Sequence, residues 1–130
     1  MAFIQMEYKS EALLRGTSIK VILPTDGMSG KWEPPFQTVY FLPGYSTTAM
    51  ELITYLNLRK QAELKGIAIV LPDGENLFYQ DLPQRMTFYS TYVGKELVEV
   101  TRKLFPLSHR REDTYIAGIS MGGYGALYNG

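Results

Sequence analysis

The five residues 67–71 read IAIVL, an uninterrupted apolar run that limits the folds open to this chain. A strand whose side chains are all apolar must be covered on both faces, as in a parallel sheet that lies between layers of helices. Pro72, Asp73 and Gly74 follow the run and predict a turn. The run therefore indicates a layered α/β protein rather than an all-helical or all-β one.

Four other segments have the composition of strands. Residues 3–14 alternate loosely between apolar and polar side chains, and residues 17–23 are rich in β-branched ones. Residues 37–42 and 114–119 are short apolar runs of the same kind. Between the second and third strands, residues 24–35 hold proline, glycine and aspartate and predict a surface loop.

Two longer segments have helical spacing. Residues 49–65 carry apolar side chains about every third or fourth position, and Gly66 stands where a C-cap glycine belongs. Residues 87–105 show a second such pattern, which Pro106 ends. The element order β-β-β-α-β-α-β predicts a mostly parallel sheet flanked by helices.

Composition narrows the classes of function. A chain of 130 residues predicts one domain, and 13 basic against 13 acidic residues indicate neither a nucleic-acid partner nor an anionic membrane surface. No cysteine is present, so a disulfide framework or thiolate metal site is excluded, and no metal or cofactor motif appears. The first ten residues lack a leader pattern, and no apolar run approaches the ~20 residues of a membrane span. We therefore expect a cytoplasmic protein that does not bind membranes.

The motif that carries chemistry is G-x-S-x-G, from Gly118 through Ser120 to Gly122. It follows a predicted strand directly and opens a glycine- and alanine-rich helix start, which is the context of a nucleophile elbow. The strained turn exposes the serine hydroxyl, and the flanking glycines let neighbouring backbone approach. The N–H of Met121, at a helix N-terminus, then faces developing negative charge. A tight turn that binds phosphate is the alternative, but such loops have Gly-Lys-Ser/Thr.

A second N–H donor for an oxyanion hole is expected from the loop after the third strand. That loop reads LPGYS from residue 42 to residue 46. Gly44 would let the backbone approach a substrate, and the Tyr45 amide is the natural donor. The alternative is an ordinary turn that ends the strand.

These residues together resemble the esterase D branch of the α/β-hydrolases, which includes S-formylglutathione hydrolases and bacterial tributyrin (acetyl) esterases. The segments that carry the resemblance are VYFLPGYS, IAIVLPDGENLFYQD, KELVEVTRKLFP and RREDTYIAGISMGGYGAL. The resemblance implies a serine carboxylesterase acting on short acyl esters without a cofactor. Ser120 takes the nucleophile position, and the N–H groups of Met121 and Tyr45 take the oxyanion hole. Pro43-Gly44 stands where the family usually has His-Gly.

The rest of a catalytic triad is not found after the serine. In this fold an acid and then a histidine follow the nucleophile along the chain, but residues 121–130 contain neither. His109 precedes the last strand, which is some 20 Å long by rise per residue and has Ser120 at its far end, so we expect His109 to be a solvated loop residue. We therefore expect one domain, residues 1–130, that corresponds to the N-terminal half of an α/β-hydrolase and is nearly inactive by itself.

Three further expectations concern surfaces. Tyr79, in an aromatic-bearing loop, either walls an acyl pocket or packs in the core. Asp73 and Asp81 have structural turn roles, and residues 110–113 form a solvated charged run. The edge of the strand 114–119 lacks a neighbour, so we expect a homo-oligomer joined through it. The competing functions are an acyltransferase on the same fold and a non-catalytic interaction module.

Overall fold

In the computed structural model, five strands form one mixed sheet. The structure describes residues 2–24, 34–42, 53–54, 56–72, 81–82, 87–88 and 91–118. The strands of this sheet are β1 (Ala2–Ser10), β2 (Arg15–Leu23), β3 (Gln37–Leu42), β4 (Ile67–Pro72) and β7 (Thr114–Gly118), and they lie in the order β1-β2-β4-β3-β7. The helices are α1 (Leu58–Lys65) and α2 (Leu97–Leu104), and a π-helical segment, Tyr92–Glu96, leads into α2.

The sheet has an antiparallel half and a parallel half. β1 pairs with β2 and β2 pairs with β4 in antiparallel fashion, whereas β3 lies parallel to both β4 and β7. Parallel neighbours need a crossover, and the two crossovers carry α1 and α2. The predicted α/β fold is confirmed, and its parallel part is the part that the helices connect.

The apolar run that opened the sequence analysis is buried on both faces, as predicted. Ala68 and Val70 belong to a core cluster on the α2 side of the sheet, together with Tyr92 and Leu97. Ile69 and Leu71 alternate with them and pack on the opposite side. Burying one such side chain contributes about 1.5–3 kcal/mol, so β4 is the main hydrophobic link between the two layers.

The smaller cluster lies under α1. Ile53, Leu58 and Ala62 pack there against Ile22, Ile69 and Leu71 of the sheet. The helix ends at Gly66, whose φ is 66° and whose N–H donates to the Ala62 carbonyl at 2.8 Å. The predicted C-cap glycine is therefore confirmed, because only a left-handed residue closes the helix in this way.

The prediction of one continuous helix over residues 49–65 is wrong for the described part of that range. Ile53 and Thr54 are helical, residues 56–57 form a turn, and α1 begins only at Leu58. Asn57 stands between them with φ 51° and ψ 43°, a left-handed conformation that no right-handed helix contains. Asparagine enters this region more easily than most residues do, so the break is local.

The second predicted helix, over residues 87–105, starts too early. Thr87–Phe88 (β6) instead pairs with Asp81–Leu82 (β5) in a separate antiparallel ladder. Helical structure is described from Thr91 onward and ends at Leu104. Phe105 is extended, as a residue before proline prefers to be, so the predicted stop at Pro106 is confirmed.

Candidate active site

The carboxyl ends of β3 and β7 lie side by side. The two strands are parallel, and their register pairs Leu42, the last residue of β3, with Gly118, the last residue of β7. Gly118 is also the first glycine of the G-x-S-x-G motif. The segments that begin with Pro43 and with Ile119 therefore leave the sheet from neighbouring strands at the same edge, which is where open α/β sheets bind ligands.

Most of the predicted site residues lie outside the described residues. Gly118 is described, half-buried at the end of β7. The nucleophile, both oxyanion donors, the second elbow glycine and the pocket residues stay predictions: Ser120, Met121, Tyr45, Gly122, Gly44 and Tyr79. What the structure supplies is the position and support of the two strands that lead to them.

A buried hydrogen bond holds β3 to α2. The Tyr40 hydroxyl and Thr101 Oγ1 are 2.7 Å apart, and both residues are buried. Thr101 directs its own hydroxyl hydrogen to the Leu97 carbonyl at 2.8 Å, so the Tyr40 hydroxyl is the donor in this pair. Burial raises the pKa of Tyr40 above its usual value, although Thr101 and the charge of Arg102 work in the opposite direction. Tyr40 is therefore a neutral donor that fixes β3.

A polar network fixes the amino end of β7. Arg102 of α2 donates from Nη2 to Thr114 Oγ1 at 2.9 Å, and the Thr114 hydroxyl donates to the Arg110 carbonyl at 2.9 Å. Asp113 accepts the Ser108 hydroxyl at 2.7 Å. These contacts join α2, the connection after it and the first residue of β7. The start of the strand is thereby positioned, and with it the strand's far end at Gly118.

The connection between α2 and β7 also joins the sheet through backbone hydrogen bonds. Phe36 donates to the Pro106 carbonyl at 3.0 Å, and the Ser108 N–H donates to the Phe36 carbonyl at 2.8 Å. Phe36 and Leu107 are both buried and form an isolated parallel bridge. The connection after α2 thus continues the parallel pairing beyond the amino ends of the strands.

The description of residues 110–113 as a solvated charged run is wrong for one member. Arg110 and Glu112 form an exposed ion pair at 3.3 Å, as expected for such a run. Asp113 is half-buried and bound to Ser108, and Gln37 of β3 donates to its other carboxylate oxygen at 3.4 Å. The sequence pattern does not indicate these contacts of Asp113, because Ser108 and Asp113 meet only when residues 111–113 form a 3₁₀ turn.

The remaining acid–base candidates lie away from the carboxyl ends of β3 and β7. His109 is exposed, as the sequence predicted, and it precedes the amino end of β7, whereas Gly118 lies at the carboxyl end. Asp81 lies in the short ladder with β6, and Asp73 lies outside the described residues. Over the ranges that the structure describes, no three histidine or acidic side chains come together as a metal site would require.

Comparison with known proteins agrees with this architecture. The family model described as "Putative esterase" matches residues 10–130. This chain belongs to that esterase family. An acetyl esterase of Caldicellulosiruptor saccharolyticus is 37% identical over 135 residues, which cover 100% of this chain and 51% of that protein. An S-formylglutathione hydrolase of Paracoccus denitrificans (strain Pd 1222) is 31% identical, covering 95% of this chain and 50% of that protein.

The solved structures similar to this esterase-family chain show the same fold. FphF, a fluorophosphonate-binding serine hydrolase of Staphylococcus aureus, superposes with a TM-score of 0.83 at 29% identity, covering 95% of this chain and 49% of that one. The α/β-hydrolase fold and the esterase resemblance are therefore confirmed. The chain spans about half the length of the curated relatives it matches. No helix in the described ranges is long and apolar enough to cross a membrane.

Proposed function

We propose that the chain carries the nucleophile half of a serine carboxylesterase site for short-chain acyl esters. Ser120 is the nucleophile, and the N–H groups of Met121 and Tyr45 form the oxyanion hole. The observation that carries the proposal is the pairing of Leu42 with Gly118 in the register of β3 and β7. Because these are the last residues of adjacent strands, the loop of the second donor and the elbow both follow from neighbouring strand ends. The acetyl esterase and S-formylglutathione hydrolase relatives support an ester or thioester substrate.

The chemistry follows from this placement. The Ser120 hydroxyl attacks the ester carbonyl carbon, and the carbonyl oxygen becomes an oxyanion that the two N–H groups stabilise. The bond to the alcohol oxygen then breaks, the alcohol leaves with the proton that Ser120 lost, and water hydrolyses the acyl-serine to the free acid and the restored serine hydroxyl. Gly44 gives the substrate access to the backbone, and Tyr79 walls the acyl pocket. The reaction uses the protein's own groups and needs no cofactor.

The first step requires a base, and residues 121–130 contain no histidine or acid. The single histidine of the sequence, His109, lies at the opposite end of β7. In serine hydrolases the loss of the base lowers turnover by about 10⁶, whereas binding and the oxyanion hole alone retain about 10³–10⁴ over water. We therefore propose that a polypeptide limited to residues 1–130, a truncated α/β-hydrolase domain, hydrolyses esters very slowly.

The test is covalent labelling with a fluorophosphonate probe, followed by mass spectrometry of the modified peptide. After prolonged incubation we expect one adduct, on the peptide that contains Ser120. Ser120→Ala abolishes it, and Ser18→Ala, in a strand separated from β3 by β4, leaves it unchanged. The acetyl esterase relative, labelled in parallel, serves as the positive control. An adduct on another serine would contradict the proposed nucleophile. No adduct on these 130 residues, beside labelling of a longer form, would support the view that they are the N-terminal half of the enzyme, and no adduct on either form would favour a non-catalytic module.

Turnover is measured with a short-chain nitrophenyl ester, with and without an added alcohol. The expected product is the free acid, formed at a rate several orders of magnitude below that of the relative. Transfer of the acyl group to the alcohol in preference to water would instead identify an acyltransferase on this fold. Both outcomes require Ser120, so labelling and turnover test different parts of the proposal.

A further inference from the structure

Two consecutive residues of α2 bind the two strands that lead to the candidate site. Thr101 Oγ1 lies 2.7 Å from the Tyr40 hydroxyl of β3. The next residue, Arg102, donates from Nη2 to Thr114 Oγ1 of β7 at 2.9 Å. Consecutive residues of an α-helix point about 100° apart, so adjacent positions can reach adjacent strands. One short stretch of helix therefore contacts both β3 and β7, which pair directly with each other.

The Tyr40 contact is close to the end of β3 from which the oxyanion loop starts. Tyr40 stands two residues before Leu42, the last residue of the strand, and both side chains are buried on the α2 side of the sheet. Register pairs Tyr40 with Ile116, which stands two residues before Gly118. Since a strand rises about 3.3 Å per residue, the Cα of Tyr40 lies about 7 Å along the strand from its end.

A pair of hydroxyls at this position specifies geometry as well as filling space. Phenylalanine and valine would occupy nearly the same volume as Tyr40 and Thr101, and they would tolerate small displacements of β3 along α2. A buried hydrogen bond of 2.7 Å weakens when its length or angle changes. The Thr101 hydroxyl also donates to the Leu97 carbonyl at 2.8 Å, so its oxygen has a fixed position on the helix.

We propose that Tyr40 and Thr101 are positioning residues for the oxyanion hole. The inference rests on the proposed function, in which Tyr45 follows β3, Met121 follows β7, and each donates an N–H to the oxyanion. Both donors must lie about 2.7–3.1 Å from one oxygen atom. Because each donor follows a different strand, the relative position of β3 and β7 sets how well the two N–H groups converge. Thr101 fixes β3 to α2, and the adjacent Arg102 fixes β7 to the same helix.

The first measurement is native-state hydrogen exchange, which needs no enzymatic activity. Tyr40→Phe removes the donor and leaves the Thr101 hydroxyl bonded to Leu97. We expect amide protection to fall about 2–10-fold at the carboxyl ends of β3 and β7, the equivalent of one neutral hydrogen bond, and to fall less in the hairpin of β1 and β2. An equal loss in both regions would show a contribution to global stability alone and would overturn the proposal.

Tyr8→Phe is the matched control. It removes another tyrosine hydroxyl, one that is bound to Glu96 just before α2, but Tyr8 lies on β1, which β2 and β4 separate from β3. We expect it to lower protection in the hairpin and to leave the carboxyl ends of β3 and β7 unchanged.

Two substitutions of Thr101 separate its hydroxyl from its volume. Thr101→Val leaves the buried Tyr40 hydroxyl without its acceptor, so we expect it to lower protection at the carboxyl ends of β3 and β7 at least as much as Tyr40→Phe does. Thr101→Ser keeps the hydroxyl and should behave as wild type. A serine variant that behaves as the valine variant does would contradict a role for the hydrogen bond.

The second measurement is the rate at which a fluorophosphonate labels Ser120, in the form of the protein that carries the adduct in the test above. We expect Tyr40→Phe and Thr101→Val to slow labelling about 10-fold. This is less than the 10²–10³-fold cost of removing an oxyanion donor, because the donor is displaced and not lost. Tyr8→Phe and Thr101→Ser should label at the wild-type rate.

The outcomes distinguish this inference from the proposed function. Labelling of Tyr40→Phe at the wild-type rate would overturn the positioning role and leave Ser120 as the nucleophile. A wild-type protein that is not labelled in any form would contradict the proposed function itself, and with it the role of Tyr40 and Thr101 at an oxyanion hole.

Discussion

Glu96 shows how one residue can join distant parts of the chain. Its carboxylate accepts the Ala12 N–H at 2.7 Å and the Tyr8 hydroxyl at 3.1 Å, contacts that span 84 and 88 positions of sequence. The hairpin of β1 and β2 is thereby tied to the helical layer. Bonds to a charged acceptor contribute about 1.5–3 kcal/mol when they are protected from water. Helical spacing alone gives no sign of this role, since Glu96 looks like any solvated helix residue.

The surroundings of Tyr8 make the free energy of unfolding fall at high pH. Burial, first, and then the neighbouring Tyr92 and the negative charge of Glu96 raise the pKa of Tyr8 above its ordinary value of 10. The folded state therefore keeps a proton that the unfolded state loses above about pH 10. The stabilising contribution of the protonated Tyr8 hydroxyl is fully present below that pH and is lost as the pH rises above it.

We predict that Tyr8→Phe makes the alkaline loss of stability less steep. The free energy of unfolding of wild type falls between pH 10 and 12, and the substitution removes at most about 1.4 kcal/mol per pH unit from that slope. The measurement is urea denaturation at a series of pH values. Tyr115→Phe, which removes the hydroxyl of an exposed tyrosine, is the matched control. Equal slopes for wild type and Tyr8→Phe would contradict the assignment.

Two non-glycine residues in the described ranges adopt left-handed backbone conformations. Asn57 has φ 51° and precedes α1, and Leu14 has φ 57° in the turn between β1 and β2. Leu14 is 54% exposed, so its side chain gains little from burial to offset the unfavourable backbone. Sequence patterns locate apolar faces but not such residues. The prediction of one helix over residues 49–65 failed at Asn57 for this reason.

At the scale of elements, the connection between α2 and β7 is more than a loop. Ser108 is buried, donates its hydroxyl to Asp113 and accepts the Arg110 N–H at 3.2 Å on the same oxygen. The Ser108 N–H is bound to Phe36. The connection therefore holds the end of one element and the start of the next in a fixed relation, which positions Gly118 at the other end of β7.

We predict that Asp113→Ala lowers the free energy of unfolding by about 1–3 kcal/mol, because the buried Ser108 hydroxyl loses its acceptor. Glu112→Ala, one residue earlier, is the matched control. Glu112 forms only an exposed ion pair, so we expect a change of at most about 0.5 kcal/mol. The measurement is chemical denaturation followed by tryptophan fluorescence. Similar losses of unfolding free energy in both variants would show that the Asp113 side chain contributes no more to stability than an exposed one does.

The ends of elements were predictable wherever a local rule acts. β3 covers residues 37–42 as predicted, Gly66 caps α1, and Pro106 follows α2. The start of that helix was not predictable, because the π-helical segment Tyr92–Glu96 breaks the 3.6-residue period on which the prediction rests. After it the apolar stripe drifts, and Leu104 is 54% exposed.

At the scale of the whole molecule, strand order brings together segments that are far apart in sequence. β3 lies between β4 and β7 and is parallel to both. The register between β3 and β7 then places Leu42 beside Gly118, so the segments that follow the two strands start at the same edge of the sheet. The expectation of a homo-oligomer, which came from the missing neighbour of the strand 114–119, stays a prediction.

The sequence by itself determined the class of elements, the doubly buried strand β4, the esterase family and the motif that begins at Gly118. Each of these depends on neighbouring residues or on a short pattern, which a linear chain displays. The tertiary structure alone decided that Leu42 lies beside Gly118, that Asp113 binds Ser108 and that Glu96 holds the first hairpin. These depend on strand order and on contacts between residues far apart in sequence, which local energetics does not specify.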